Sequence, residues 1–222
     1  MKLLTVLVAV LFSPALIYAQ DDYHKVEVFG GYSMMNFDNA AGNTNNAAVN
    51  DILGGKEFMQ GFNAAANYNF NKYWGAKFDY SFHHREDNFS RPLGAGNVDR
   101  TLQNFLFGVQ VKNNVHEGPK FKPFGHALIG FAHQKIDIDS PQLPILLGVN
   151  DFSVNETSLA FAFGGGVDLR VTSRIDARVG QIDWNIIHRG DQQIPGITPG
   201  RTIIWPSTRQ DNLRISFGIV FH

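Results

Sequence analysis

From Lys25 onward, apolar and polar side chains alternate with a period of two, the spacing at which neighbouring residues of a strand leave opposite faces. Eight stretches carry the pattern: roughly 25–34, 58–70, 74–84, 101–112, 121–134, 157–170, 174–186 and 212–222. One face of the first reads Val26, Val28, Gly30, Tyr32, Met34, and of the second Phe58, Gln60, Phe62, Ala64, Ala66, Tyr68, Phe70. The third gives Trp74, Ala76, Phe78, Tyr80, Phe82, His84, and the fourth Thr101, Gln103, Phe105, Phe107, Val109, Val111. Phe121, Pro123, Gly125, Ala127, Ile129, Phe131 and His133 follow on the fifth, then Leu159, Phe161, Phe163, Gly165, Val167 and Leu169 on the sixth. The eighth shows Leu213, Ile215, Phe217, Ile219 and Phe221. No Asp, Glu, Lys or Arg interrupts these seven faces. The opposite faces collect Lys25, Glu27, Asn63, Asn67, Asn69, Lys77, Asp79, Ser81, Asn104, Gln110, Lys112, Lys122, His126, Asp168, Arg170, Arg214 and Ser216 among many Gly and Ala.

Such segregation predicts an all-β fold, an eight-stranded antiparallel up-and-down transmembrane β-barrel. In a soluble barrel the apolar faces would line the interior, and eight strands enclose too little volume for so many Phe, Tyr and Trp. Turned toward lipid, the same faces need no interior volume, and the polar faces line the lumen. Strict alternation from Ile175 in the seventh stretch would aim Asp183 at lipid, at a cost of up to a few kcal/mol. Two readings resolve this. A bulge near Gly180 sends Ile175, Ala177, Val179, Ile182, Trp184 and Ile186 outward and Asp176, Arg178, Gln181 and Asp183 inward. Alternatively the strand leaves the membrane by Gln181.

The connections strengthen the barrel reading. Asn71-Lys72-Tyr73, Asn113 to Lys120 and Val171-Thr172-Ser173 are short, whereas 35–57, 85–100, 135–156 and 187–211 are long. Barrels of the outer membrane place short turns in the periplasm and long loops outside. Tyr68, Phe70, Tyr73, Trp74, Phe121 and Phe221 then form the periplasmic aromatic girdle, with Tyr32, Phe58, Phe82 and Phe131 at the outer one.

Composition and address agree. A 222-residue chain with 18% charged residues fits one domain, and a formal net charge of -1 supplies no basic stripe for a polyanion, so no nucleic-acid partner is expected. Lys2, the apolar run Leu3–Phe12 and Ile17 two residues before Ala19 read as a signal peptide over 1–19, leaving 20–222 as the barrel domain. The alternative, a membrane anchor, needs about 20 apolar residues and the run is shorter. With no Cys, no disulfide or lipid-modified Cys supports the exported chain.

The mature chain resembles the eight-stranded outer membrane protein A-type barrel family, through KPFGHALIGFAH (122–133), GGGVDLRVTSRIDARVGQIDW (164–184) and RISFGIVF (214–221). The resemblance implies localisation in the outer membrane of a Gram-negative bacterium, lipid as a partner, and the barrel assembly machinery as a partner in biogenesis. Gly218 and Phe221 look like that machinery's terminal signal, although His222 stands where an aromatic residue is usual. The peptidoglycan-binding domain that follows many such barrels is not expected, so its wall-tethering role is not carried over.

Glu27, Asp79, His126, Asp168 and Arg178 lie at similar heights on five inward faces, and with Arg214 they form a candidate lumen polar cluster. Opposite charges in so narrow an interior predict a structural plug. The alternative that the resemblance implies is a gate opened by re-pairing Arg178 or Arg214. His83, His84, His133 and His188 could gather at the outer rim, but without a carboxylate at suitable spacing they read as boundary residues, and no metal or cofactor is expected. Ser81 and His83 share an inward face without a clear match to lipid A deacylases, so no enzyme is expected. FGGGV is a strand with small inward residues rather than a phosphate loop, since no helix follows. The sequons at Asn88 and Asn155 carry little weight in a bacterial context. The long connections hold oddly apolar segments, PQLPILLGV (141–149) and IPGITPGRTIIWP (194–206), which either fold over the mouth or bind an unknown extracellular ligand. The expected function is a structural outer-membrane barrel with at most narrow, porin-like permeability. The alternatives are an adhesin or receptor acting through its loops, or a small-solute channel.

Overall fold

The computed structural model describes residues 22–38, 55–91, 94–139, 141, 152–195 and 202–222. The expected cleavage site after Ala19 and most of segment 141–149 lie outside them. Eight antiparallel strands close into one barrel in the order β1 (Val26–Asp38), β2 (Lys56–Asn69), β3 (Trp74–Arg91), β4 (Gly94–Lys112), β5 (Phe121–Asp139), β6 (Phe152–Arg170), β7 (Ile175–Arg189) and β10 (Thr208–Phe221). A hairpin of β8 (Gln192–Pro195) and β9 (Thr202–Trp205) stands in the last long connection. Each strand pairs with its chain neighbour, and β10 returns to β1 with Tyr32 opposite Phe217 and Ser33 opposite Ser216. Closure leaves no free edge.

The alternation sets which way each side chain faces. Val28, Tyr32, Phe58, Phe62, Tyr68, Phe78, Phe105, Phe107, Ile129, Phe131, Phe163, Leu213, Phe217 and Phe221 project from the outer surface, whereas Glu27, Lys77, Asp79, Lys112, Lys122, Asp168 and Arg214 are buried inside. Aromatic neighbours meet across strands on the outside, as Phe62 with Tyr80 at 5.8 Å and Tyr80 with Phe105 at 4.9 Å.

The bulge of β7 lies at Val179. Val167 pairs with Gly180 and Asp168 with Arg178, so Val179 has no partner on β6. The register against β10 shifts at the same place, between Ser216 and Gly218. Val179, Ile182 and Trp184 therefore face out, while Arg178, Gln181 and Asp183 are buried. With Ile182 and Trp184 on the outer surface, Asp183 buried and pairing with β10 running on to Arg189, Asp183 gives β7 no reason to leave the membrane by Gln181.

The long connections are shorter than their sequence suggests. Residues 85–100 form ladder rather than loop, pairing from Arg85 with Arg100 to Arg91 with Gly94. β5 likewise runs to Asp139 and β6 starts at Phe152. Above the apolar belt both faces of a strand can be polar, so pairing continues where the hydrophobic alternation fades. The barrel wall is consequently uneven, with 18 or 19 residues in each of β3 to β6 against 13 to 15 in β1, β2, β7 and β10. At about 3.3 Å per residue and a tilt near 40°, the tall strands rise roughly 45 Å, well past an apolar band of about 25 Å.

Candidate functional site in the barrel lumen

The lumen is built in tiers. Nearest the short turns, five carboxylates (Glu27, Asp79, Asp168, Asp176, Asp183) face five cations (Lys77, Lys112, Lys122, Arg178, Arg214). Arg214 of β10 reaches across to two strands. Its Nη1 donates to Asp79 Oδ1 at 2.7 Å, and its Nε donates to Asp183 Oδ2 at 2.9 Å. His126 lies 2.8 Å from Asp183 Oδ1 through Nε2 and 3.2 Å from Lys77 Nζ through Nδ1. An ammonium can only donate, so Nδ1 accepts from Lys77 and Nε2–H donates to Asp183.

Arg178 is held on every side. It donates twice to Asp168, at 2.8 and 3.0 Å, and once to Gln181 Oε1 at 2.8 Å. Its guanidinium lies 4.3 Å from the Phe29 ring and 4.1 Å from the Phe124 ring, a double cation–π sandwich. Lys112 joins the same carboxylate at 3.1 Å and also reaches Glu27 at 2.6 Å, while Lys122 pairs with Asp176 at 3.0 Å. Glycines make the room. A Cβ on Gly164 would fall 2.1 Å from Asp183 Oδ1, and one on Gly166 would meet the Phe124 ring at 2.9 Å.

The candidate cluster thus divides. Asp79, His126 and Arg214 meet around Asp183, whereas Glu27, Asp168 and Arg178 belong to a second set nearer the short turns and joined by Lys112. Gln181 links the two sets, accepting from Arg178 and donating to Asp183 Oδ2 at 2.7 Å.

On the long-loop side of these charges sits an apolar tier of Met35, Phe37, Met59, Leu102, Leu106, Leu128, Ala132, Ala160, Ala162 and Ile187, all buried. Reading alternation as apolar-out and polar-in missed this tier. Its signal was present in runs that are apolar on both faces, such as Met34-Met35 and Phe105-Leu106-Phe107. Between the tiers, Ser33 Oγ lies 2.9 Å from both His83 Nε2 and Ser216 Oγ. Beyond the apolar tier Arg100 pairs with Glu57 at 2.6 Å and Arg189 with Glu156 at 2.8 Å. Two cavities, one lined by Glu27, Phe29, Lys77 and Arg178 and one by Gln134, Ile136, Glu156 and Arg189, each measure about 10 Å³. That is room for about one water.

The rim histidines do not gather. His83 is buried in the lumen, while His84 faces out beside Asp99 at 3.3 Å, His133 meets Thr157 at 2.9 Å and His188 meets the Phe161 ring at 5.8 Å. Among the described residues no group of His, Asp and Glu is arranged to hold a metal ion. Ser81 Oγ accepts from Asn104 at 3.1 Å and does not contact His83.

At the short-turn end, His24 and His222 stack at 4.0 Å and His24 meets His116 edge-on at 4.1 Å. The His222 ring nitrogens approach Glu27 Oε1 at 3.2 Å and Asp176 Oδ2 at 3.0 Å. Nothing in the spacing of these three histidines brings them together; closure of the barrel does.

A family model described as the outer membrane protein beta-barrel domain matches residues 4–221. The chain belongs to this family. As an outer membrane barrel it resides in the outer membrane of Gram-negative bacteria, which makes the short-turn end periplasmic and the long-loop end extracellular. No curated protein sequence matches it. Among solved structures this barrel is similar to the outer membrane protein OprG from Pseudomonas aeruginosa, at 13% identity and a TM-score of 0.54, covering 90% of this chain and 97% of that one. It is also similar to Ail, the attachment invasion locus protein of Yersinia pestis (16% identity, TM-score 0.47, 88% and 97% covered), and to Neisserial surface protein A (14%, 0.44, 90% and 99%). At these identities the likeness to OprG speaks for the fold alone.

Proposed function

We propose that the chain is a structural outer-membrane barrel, exported through a cleaved leader ending at Ala19, whose lumen is a plug with at most slight permeability. The observation that carries this reading is the stacking of an apolar tier on a charge-balanced one, with about 10 Å³ left in each flanking cavity. An ion entering the lower tier must displace a paired charge, and above it must pass packed apolar side chains, among which the polar Asn104 and Ser33 are buried and already hydrogen-bonded to Ser81 and His83. In the cluster Glu27, Asp79, His126, Asp168, Arg178 and Arg214 the role is structural: each charge neutralises a neighbour and holds the strands in register. No catalytic role is assigned, because the Ser33 and His83 pair lies buried between the tiers. Outer-membrane lipid is the partner that suits the exposed aromatic belt, and the barrel assembly machinery the partner that suits its biogenesis.

Single-channel recording in planar bilayers tests the proposal. Bilayers holding the folded chain should stay silent, and Arg178→Ala alone should not produce porin-sized currents, since the apolar tier remains. Sustained porin-sized currents from the unmodified chain would refute the plug. Loops that meet an extracellular ligand are the second reading, favoured by the wall of β3 to β6 standing clear of the membrane; attachment to host-like surfaces that is lost on shortening that wall would support it.

A further inference from the structure

The periplasmic mouth of the barrel is crossed by the chain itself. Residues 22–24 leave the foot of β1, where the His24 carbonyl accepts from Asn69 Nδ2 of β2 at 2.7 Å, and run to residues 114–116 in the turn just past β4. There Tyr23 bridges Val115 in antiparallel fashion, the His24 amide donates to the Asn114 carbonyl at 3.0 Å, and the His116 amide donates to the Asp22 carbonyl at 3.2 Å. The Tyr23 hydroxyl donates to the Phe70 carbonyl at 3.0 Å, and Lys72 reaches Asp22 at 2.7 Å. Inside this strap the His24 ring lies between those of His222 and His116.

The three rings have unequal uses for a proton. Each ring nitrogen of His222 faces a carboxylate, a geometry that suits an imidazolium with both N–H groups directed outward. Burial opposes its charge, yet Asp176 and Glu27 raise its pKa above 6.5. His24 has no such partners. Burial, reinforced by His222, His116 and Lys122, lowers it to about 3.

We propose that residues 22–24 are an acid-released strap over the periplasmic mouth, seated while the His24 ring packs uncharged between His222 and His116 and freed when a proton enters at His24. The charged groups facing the stack are Glu27 of β1, Lys112 of β4, Lys122 of β5 and Asp176 of β7, with Asp168 of β6 behind Lys112, the Arg170 guanidinium on the His116 carbonyl, and Asp22, paired with Lys72, beside His116. Both signs can be worked out. The freed His24 binds a proton more readily than the seated one, so its pull on the strap is complete above pH 6.5 and weakens by about tenfold per unit as pH falls toward 3. His222 binds its proton more readily when seated, so its contribution is complete below 6.5 and disappears as pH climbs past its raised value. Between them the strap sits most firmly near neutral pH and acid releases it through His24.

Spin labels on Asp22→Cys, which gives up the exposed Lys72 pair but keeps the backbone bonds of the strap, and on the exposed Glu117→Cys read the strap directly by pulsed electron resonance in the full chain folded in detergent. A single short distance is expected at pH 7.5, with a long-distance fraction that grows about tenfold relative to the short one per unit below pH 6. His24→Phe keeps a stacking ring without a proton site and should hold the short distance down to pH 4.5; His24→Gln serves in its place if the Phe variant fails to give the heat-modifiable gel shift of a folded barrel. His222→Phe removes both ion pairs and should enlarge the long fraction already at pH 7.5. A distance that ignores pH in the unmodified chain, or an acid response that persists in both His24 variants, overturns the proposal. The distance does not depend on conduction, so its failure is separate from that of the plug.

Discussion

Two tiers of one lumen solve the same packing problem in opposite ways. The periplasmic tier fills its cross-section with charges that neutralise one another, and the tier above fills it with Met, Leu, Phe and Ala. A paired charge is stable only while its partner stays, whereas a buried methylene is indifferent to which neighbour it touches. The lower tier is therefore specific and brittle, and the upper one forgiving. Specificity resides where Arg214 joins β10 to β3 and β7, since only one register brings Asp79 and Asp183 to it.

The contrast can be broken most severely at Arg214. Arg214→Ala removes the cation shared by the buried Asp79 and Asp183, leaving them only Lys77, Asn63, His126 and Gln181, and we expect a loss of about 3–5 kcal/mol in urea unfolding followed by heat-modifiable migration. If the loss is under 1 kcal/mol, the ionic tier is not what holds the register. Leu106→Ala in the upper tier should cost about 2–4 kcal/mol by the same measurement, the usual range for an apolar cavity, and should leave the folded migration intact. A tier so described also predicts that Leu106→Met costs less than about 1.5 kcal/mol. On the outer surface Phe107→Arg should cost about 2–4 kcal/mol in lipid because the residue lies within the apolar belt; no cost there would mean that lipid does not surround this face. The smallest effect belongs to Lys135→Ala, whose pair with Asp137 is solvent-exposed on both sides and should change stability by less than about 0.5 kcal/mol.

Much of this was legible from residue order, and the limits have physical causes. The outward faces could be read because lipid admits no charge, so every Asp or Lys marks the inside. The bulge could be placed because Asp183 and Asp176 cannot both face in without an extra residue between them. Strand ends escaped because above the belt polar side chains suit either face, and the ladder of 85–100 carries no hydrophobic signature. The apolar tier escaped because alternation reports which residues avoid lipid only when the other face is polar; Leu102 and Leu128 inside look like any lipid-facing leucine. The stack of His24, His116 and His222 depends on closure, which brings together residues 92 and 198 positions away from the first in sequence by simple subtraction.

The unpaired Val179 has a consequence for how such a wall tolerates change in length. A strand counts by twos, so a lone insertion or deletion exchanges inside and outside for everything beyond it, whereas a double one restores the phase. β7 already contains one such odd count, taken up by the bulge: without Val179 only Gly180 would separate the inward Arg178 and Gln181, and the strand would alternate regularly with Ile182 and Trp184 still outside and Asp183 still inside. The wall therefore accepts an odd change of length only where a bulge can take it up, and Val179 marks such a place.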